Sequence, residues 1–141
     1  GKAAECAMES LRDGAAEAMS ARRDRLEAGL LARIPHAGVN GGGAPRVANT
    51  TNVWFDEAEG EALVIALDLK GLAVSSGAAC SSGSSEPSHV LGAMGLSNER
   101  ARSSLRFSLH RQTTEDEVSQ VIELVSSQVV KMRALSAVAL G

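Results

Sequence analysis

The sequence predicts an α/β fold: a two-layer α/β sandwich in which helices cover a small, mostly antiparallel sheet, preceded by a long N-terminal helix. Three observations lead there. Apolar residues between Ala4 and Ile34 recur mostly at three or four positions, which is the period of a helix. Ser104 to Leu109 alternates strictly, with Leu105, Phe107 and Leu109 on one face and Ser104, Arg106 and Ser108 on the other. Helical and extended stretches then alternate along the rest of the chain, a pattern satisfied by helices layered on one sheet.

The elements follow in order. Residues 3 to about 34 read as one helix with Ala4, Met8, Leu11, Ala15, Leu26, Leu30 and Ile34 on its stripe. Gly14 and Gly29 weaken it by about 1 kcal/mol each. At 1.5 Å per residue it would be about 45 Å long, more than a domain this small needs. It starts without a capping box, so the chain is expected to begin inside a larger protein. Pro35 stops the helix. NGGGAPRVANTT, 40 to 51, is turn-rich. Asn52 to Asp56 is a short strand, with Val53 and Phe55 alternating against Asn52 and Trp54. Glu59 to Leu69 is a helix, and Leu72 to Val74 a short apolar strand. Pro87 opens a helix running from His89 to Met94, and Ser97-Asn98-Glu99 starts another. Thr114 and Glu117 form a capping box. The helix it opens carries Val118, Val121, Ile122, Val125, Val129 and Met132 on one face.

Composition narrows the function. The chain has 141 residues, 44% of them hydrophobic, enough for one domain with a real core. Its formal charge is −3 and its 14 Lys and Arg are scattered, so no basic stripe points to nucleic acid or a membrane surface. No apolar run reaches the roughly 18 residues of a membrane span. The N-terminus carries acids and lacks an apolar signal segment. Cys6 and Cys80 are far apart, without CxxC spacing or a histidine cluster, so no metal site and no disulfide framework is expected. A reducing, cytoplasmic setting follows.

Cys80 stands in SSGAACSSGSS, 75 to 85. A free cysteine is ordinarily a small buried hydrophobe. This segment has no large side chain to pack around a thiol, and runs of this kind lie on the surface and move. An exposed thiol in such a place points to reactivity. The nearest charge in sequence, Glu86, would raise its pKa, so activation must come from a site built elsewhere. Cys6 has no assigned role. Arg106 is the second candidate. Most arginines on a polar strand face make minor salt bridges, but a guanidinium fixed on a strand is also suited to gripping a carboxylate with two parallel hydrogen bonds. His89 and His110 read as surface residues. The Ser/Gly run lacks the GxxxxGK[ST] pattern of a phosphate loop.

VSSGAACSSGSSEPSHVLGAMGL and SSLRFSLHRQTTEDEVSQVIELV resemble the C-terminal region of the NifS/IscS-type cysteine desulfurases, and NTTNVWFDEAEGEALVIALDLKGLAVSSG is similar to the same family. The resemblance is densest from Asn49 to Val125 and is closest to the group with a long mobile loop. It implies a fold-type I, pyridoxal phosphate-dependent enzyme of the class V aminotransferase kind. Residues 1–35 would be the interdomain helix and 36–141 the small C-terminal domain, the large cofactor-binding domain lying outside this chain. It implies that Cys80 is the nucleophile that takes sulfur from free L-cysteine as a persulfide, releasing alanine, and that Arg106 binds the substrate carboxylate. It also implies a homodimeric parent and sulfur acceptors such as an iron–sulfur scaffold protein. A selenocysteine lyase or a non-catalytic sulfur-carrier module would use the same fold. The family's cofactor lysine sits in its large domain beside a histidine. Lys2, Lys70 and Lys131, the only lysines here, stand in no such motif. No cofactor-binding residue is therefore expected in this chain, and the chain alone should be inactive.

Overall fold

The structure, a computed structural model, describes residues 1–76 and 87–139. Helices α1 (Lys2–Arg12) and α2 (Ala15–Arg33) precede β1 (Ala37–Val39) and β2 (Thr50–Phe55). Helix α3 (Gly60–Asp68) leads to β3 (Ser75–Ser76). Two short helices, α4 (His89–Ala93) and α5 (Asn98–Arg102), precede β4 (Ser104–Ser108) and the long α6 (Glu115–Ala139). The four strands form one antiparallel sheet in the order β1-β2-β4-β3. The expected α/β class and antiparallel sheet are therefore found.

The expected single helix over residues 3–34 is two helices. The chain breaks at Asp13–Gly14, where Gly14 adopts φ +77° and becomes the N-cap of α2. Asp13 Oδ1 accepts the Ala15 N–H at 3.1 Å. Gly14 thus ends a helix instead of only weakening one. Two strand assignments also change. β1 was not expected, because three residues are too few to display a period. β3 lies at Ser75–Ser76, just past the apolar Leu72–Val74 segment. Leu72 and Val74 pack against the core, but the ladder bonds to β4 begin at Ser76 and Ser75.

The core lies between one face of the sheet and α2, α3 and α6. Val53 and Phe55 from β2 and Leu105 and Phe107 from β4 meet Leu26 and Leu30 of α2, Leu63 and Leu67 of α3, and Val118, Ile122, Val125 and Val129 of α6. The alternation read in β2 and β4 therefore faces the core as expected. The expected capping box at Thr114 is found, and Glu59 supplies a further cap. Glu59 accepts the Glu61 and Ala62 N–H groups at the start of α3. Thr114 and Glu117 exchange bonds at the start of α6, with the Thr114 N–H 2.7 Å from Glu117 Oε2 and the Glu117 N–H 3.1 Å from Thr114 Oγ1. The Thr114 N–H, aided by its hydroxyl, holds the Glu117 carboxyl below its ordinary range.

Polar ties fix the loop between β1 and β2 to α2. Arg23, 9% exposed, donates to the Val47 carbonyl at 2.7 Å. Arg46 grips Glu27 with two parallel bonds of 2.5 and 3.1 Å. Burial pushes the Glu27 carboxyl up, but the Arg46 hydrogen bonds and the Arg46 and Arg23 charges outweigh it, so the carboxyl sits below its ordinary value of 4.5. At the other end of the sheet, Arg133 of α6 donates to the Asp56 carbonyl at 2.9 Å and the His36 carbonyl at 3.1 Å.

Helices α2 and α6 approach closely at Gly29. A Cβ there would lie 2.3 Å from Ile122 Cδ1 and 3.0 Å from its Cγ1. Gly29→Ala gains about 1 kcal/mol of helix propensity but overfills a packed contact, which costs about 1–3 kcal/mol. We expect a net loss of stability in urea unfolding. Ile122→Val should relieve it, so that the double variant loses less than the sum of the two single changes. Strict additivity would contradict the contact.

A lowered carboxylate pKa contributes stability that is present above the unfolded value and is lost as pH falls through the folded one. The Glu27 contribution should therefore fade below about pH 4.5. The expected outcome is that Glu27→Gln is less stable than wild type at neutral pH and that the two stability curves converge on acidification. Parallel curves would contradict this role.

Candidate functional site

The face of the sheet away from the core carries the polar residues. Cross-strand register places Asn52 opposite Arg106, Trp54 opposite Ser104, and Ser75 opposite Arg106 on its other side. Arg106 thus stands at the middle of a three-strand row, Asn52–Arg106–Ser75. Its neighbouring positions, Leu105 and Phe107, are locked in the core, so the backbone that carries the guanidinium is rigid.

Arg106 is exposed. Its Nη2 donates to Ser75 Oγ at 3.3 Å. Among the described residues it has no carboxylate partner. Other arginines of this chain do: Arg22 and Arg25 reach Glu115, Arg23 reaches Asp24, Arg33 reaches Glu123 and Arg46 reaches Glu27. A guanidinium has five N–H donors. A neutral hydroxyl on one of them leaves the rest of the fork for an anion from outside.

Beside this row lies a satisfied polar layer. Asn40, 9% exposed, donates from Nδ2 to Asn52 Oδ1 at 2.6 Å and to Ser104 Oγ at 2.9 Å. Ser104 is fully buried and its hydroxyl donates to the Arg100 carbonyl at 2.7 Å. The Arg100 guanidinium sits 4.1 Å above the Trp54 ring, a cation–π contact that closes this end of the face. Of these residues, sequence reasoning had singled out Arg106 alone. Asn52 and Ser104 read there as the polar sides of two strands, and only the register brings them together.

Cys80 lies outside the described residues. Ser75 and Ser76 begin the same Ser/Gly stretch and are paired to the strand that carries Arg106. His89 follows the Ser88 N-cap of α4 and is exposed; His110 is exposed and its Nδ1 accepts the Gln112 N–H at 3.3 Å. Neither lies in the Arg106 row. Cys6 is free and exposed on α1. A cleft of about 350 Å³ opens between residues 70–74 and α6, floored by Leu26, Phe107 and Val118. Its lining does not include Arg106.

The described residues do not fit pyridoxal phosphate. Lys2 pairs with Glu5 on α1, Lys70 lies in the turn after α3, and Lys131 is exposed on α6. No lysine stands in the Arg106 row to bond a cofactor aldehyde. Among the described residues the outer face presents the Arg106 guanidinium with neither an acid nor a lysine beside it.

Fold and site together define a small α/β domain with an exposed, strand-borne arginine that no acid pairs among the described residues. The aminotransferase class-V family matches residues 2–121. The chain belongs to that family. It is 50% identical to cysteine desulfurase 2 of Trichormus variabilis over 136 residues, covering 96% of this chain and 34% of the relative. It is 46% identical to cysteine desulfurase NifS of Azotobacter vinelandii over 136 residues, again 96% and 34%. The chain therefore spans about a third of the length of these relatives. Among solved structures, a NifS-like protein matches with a TM-score of 0.73 at 28% identity, covering 92% of this chain and 32% of that one. A NifS-like protein from Rickettsia africae matches with a TM-score of 0.64 at 28% identity, covering 80% and 28%.

Replacing Ser104 by Ala removes both the acceptor for Asn40 and the donor to Arg100 in a buried layer. Two linked bonds are broken and Asn40 Nδ2 loses one partner, a cost of about 1–3 kcal/mol. Thermal or urea unfolding measures it. A change below about 0.5 kcal/mol, the range of an ordinary surface substitution, would contradict the layer.

Proposed function

We propose that this chain is the small domain of a pyridoxal phosphate-dependent cysteine desulfurase, with residues 1–35 leading to the large domain and 36–141 forming the small one. The reaction assigned to the parent is L-cysteine plus the Cys80 thiol giving L-alanine plus the Cys80 persulfide. One sulfur moves: its bond to the substrate carbon and the Cys80 S–H bond break, a sulfur–sulfur bond forms, and the substrate carbon gains one hydrogen to become the alanine methyl, so atoms balance without a further reagent. Pyridoxal phosphate, held by residues outside this chain, supplies the electron sink that makes the carbon–sulfur bond breakable. Arg106 binds the substrate carboxylate and Cys80 acts as the nucleophile.

The observation that carries this reading is the state of Arg106. It is held on a rigid strand, with a neutral hydroxyl and no acid beside it among the described residues. Arg22, Arg23, Arg25, Arg33 and Arg46 each face a carboxylate, whereas Arg106 is open to one. The relatives named cysteine desulfurase support the chemistry. Ser75 and Ser76, which precede Cys80 in the sequence, pair with the strand that carries Arg106. The persulfide would pass to a sulfur-acceptor protein such as an iron–sulfur scaffold. The parent is proposed to be a cytoplasmic homodimer. Among the described residues, no helix is long and apolar enough to cross a membrane.

The test uses the full-length parent with L-cysteine and pyridoxal phosphate. Wild type should release alanine and carry one added sulfur on the peptide containing Cys80, seen by mass spectrometry. Cys80→Ser should do neither. Arg106→Lys keeps the charge but loses the bidentate fork, so its KM for cysteine should rise about tenfold or more, or roughly 1.4 kcal/mol. Wild-type turnover by Cys80→Ser would overturn the role of Cys80. An unchanged KM in Arg106→Lys and Arg106→Ala would overturn that of Arg106.

A further inference from the structure

We infer that Asn52 is a second donor to the substrate carboxylate, aimed by a relay of hydrogen bonds that starts in the buried layer. This rests on the reading of Arg106 as the carboxylate's partner. The direction of each bond follows from the one before. The Ser104 hydroxyl has one hydrogen, and it goes to the Arg100 carbonyl at 2.7 Å. Its oxygen can then only accept from Asn40, so the Asn40 NH2 group must face Ser104. The second hydrogen of that NH2 group points to the Asn52 side chain at 2.6 Å, so the atom it meets must be the Asn52 oxygen. The Asn52 NH2 group is thereby turned the other way. Among the described residues nothing accepts from it.

An amide can ordinarily be drawn either way round. Here the fully buried Ser104 and the nine-tenths buried Asn40 leave one arrangement. The result is an oriented, unused donor on a strand position directly across from Arg106. Side chains at such positions have Cβ atoms about 4.5–5.5 Å apart. That is close enough for one carboxylate to take the guanidinium on one oxygen and the amide on the other. A neutral amide also leaves the Arg106 charge uncompensated, where an aspartate at 52 would neutralise it. Asn52 thus serves the site in two ways: it adds a donor and it withholds an acid.

The test separates this from a purely structural use of Asn52, which is to accept the Asn40 bond. Asn52→Asp keeps an oxygen for Asn40 and changes only the free end, from donor to anion. Binding of L-alanine and of ethylamine, which differ only in the carboxylate, is measured by calorimetry on the full-length parent loaded with its cofactor. The expected result is that Asn52→Ala weakens alanine binding about tenfold, consistent with one hydrogen bond to a charged group. Asn52→Asp should weaken it at least as much, with its melting temperature unchanged. Ethylamine binding should not move in either variant. Alanine binding by Asn52→Asp at wild-type strength would overturn the inference, as would equal losses for alanine and ethylamine. Arg106→Ala is the control for the reading beneath it. If that variant weakens alanine and Asn52→Asp does not, the role of Asn52 alone fails. If Arg106→Ala binds alanine like wild type, the carboxylate is not held on this face and both fall.

Discussion

Val53 pairs with Leu105 and Asn52 with Arg106 along the ladder between β2 and β4. Those two adjacent pairs face opposite ways, because successive residues of a strand do. The first pair is fully buried under α2, α3 and α6; the second belongs to the outer face. A slip of one residue would place Arg106 in the core and Leu105 in solvent. The apolar set therefore fixes the register, and the register fixes which polar groups meet. Burial of Leu105 and Phe107 is what makes Arg106 precise in position while its own side chain stays exposed.

The helices serve the same ladder. α2 and α6 close over the core with Gly29 beneath Ile122, and α3 joins them on the side of β3. Arg133 ties α6 to the ends of β1 and β2, and the Arg46–Glu27 pair ties the intervening loop to α2. The surface pairs of Arg22 and Arg25 with Glu115 add little by comparison, since exposed ion pairs contribute about 0–1 kcal/mol. Arg106 differs from all of these in its surroundings. Its two cross-strand neighbours are a serine and an asparagine, and the row has no acid among the described residues.

Much of this architecture was legible in the sequence, for local reasons. The strict alternation of SLRFSL marked β4 and its two faces, and the Thr114–Glu117 box marked the start of α6. What escaped depends on contacts distant in sequence. β1 is three residues long and exists because β2 pairs with it. β3 is polar, so no side-chain pattern marks it, and its extent is set by backbone bonds to β4. Gly14 could be read as a weak point of a helix, but not as the place where the chain takes a left-handed residue. Arg106 was legible because it is the one charged residue on the polar face of a strictly alternating strand. Asn52, Asn40 and Ser104 were not, since nothing in their spacing says that they share one face. Cys80 was singled out by its small, polar neighbours and lies outside the described residues, so its role rests on sequence and resemblance.

The central claim is that the outer face of β4 receives a carboxylate at Arg106. The most direct measurement is a crystal structure of the full-length parent with L-cysteine or L-alanine bound. The account predicts a ligand carboxylate about 2.7–2.9 Å from the Arg106 guanidinium, the usual length of a charge-assisted bond. A ligand carboxylate held elsewhere, with Arg106 paired to an acidic side chain of the large domain, would contradict it.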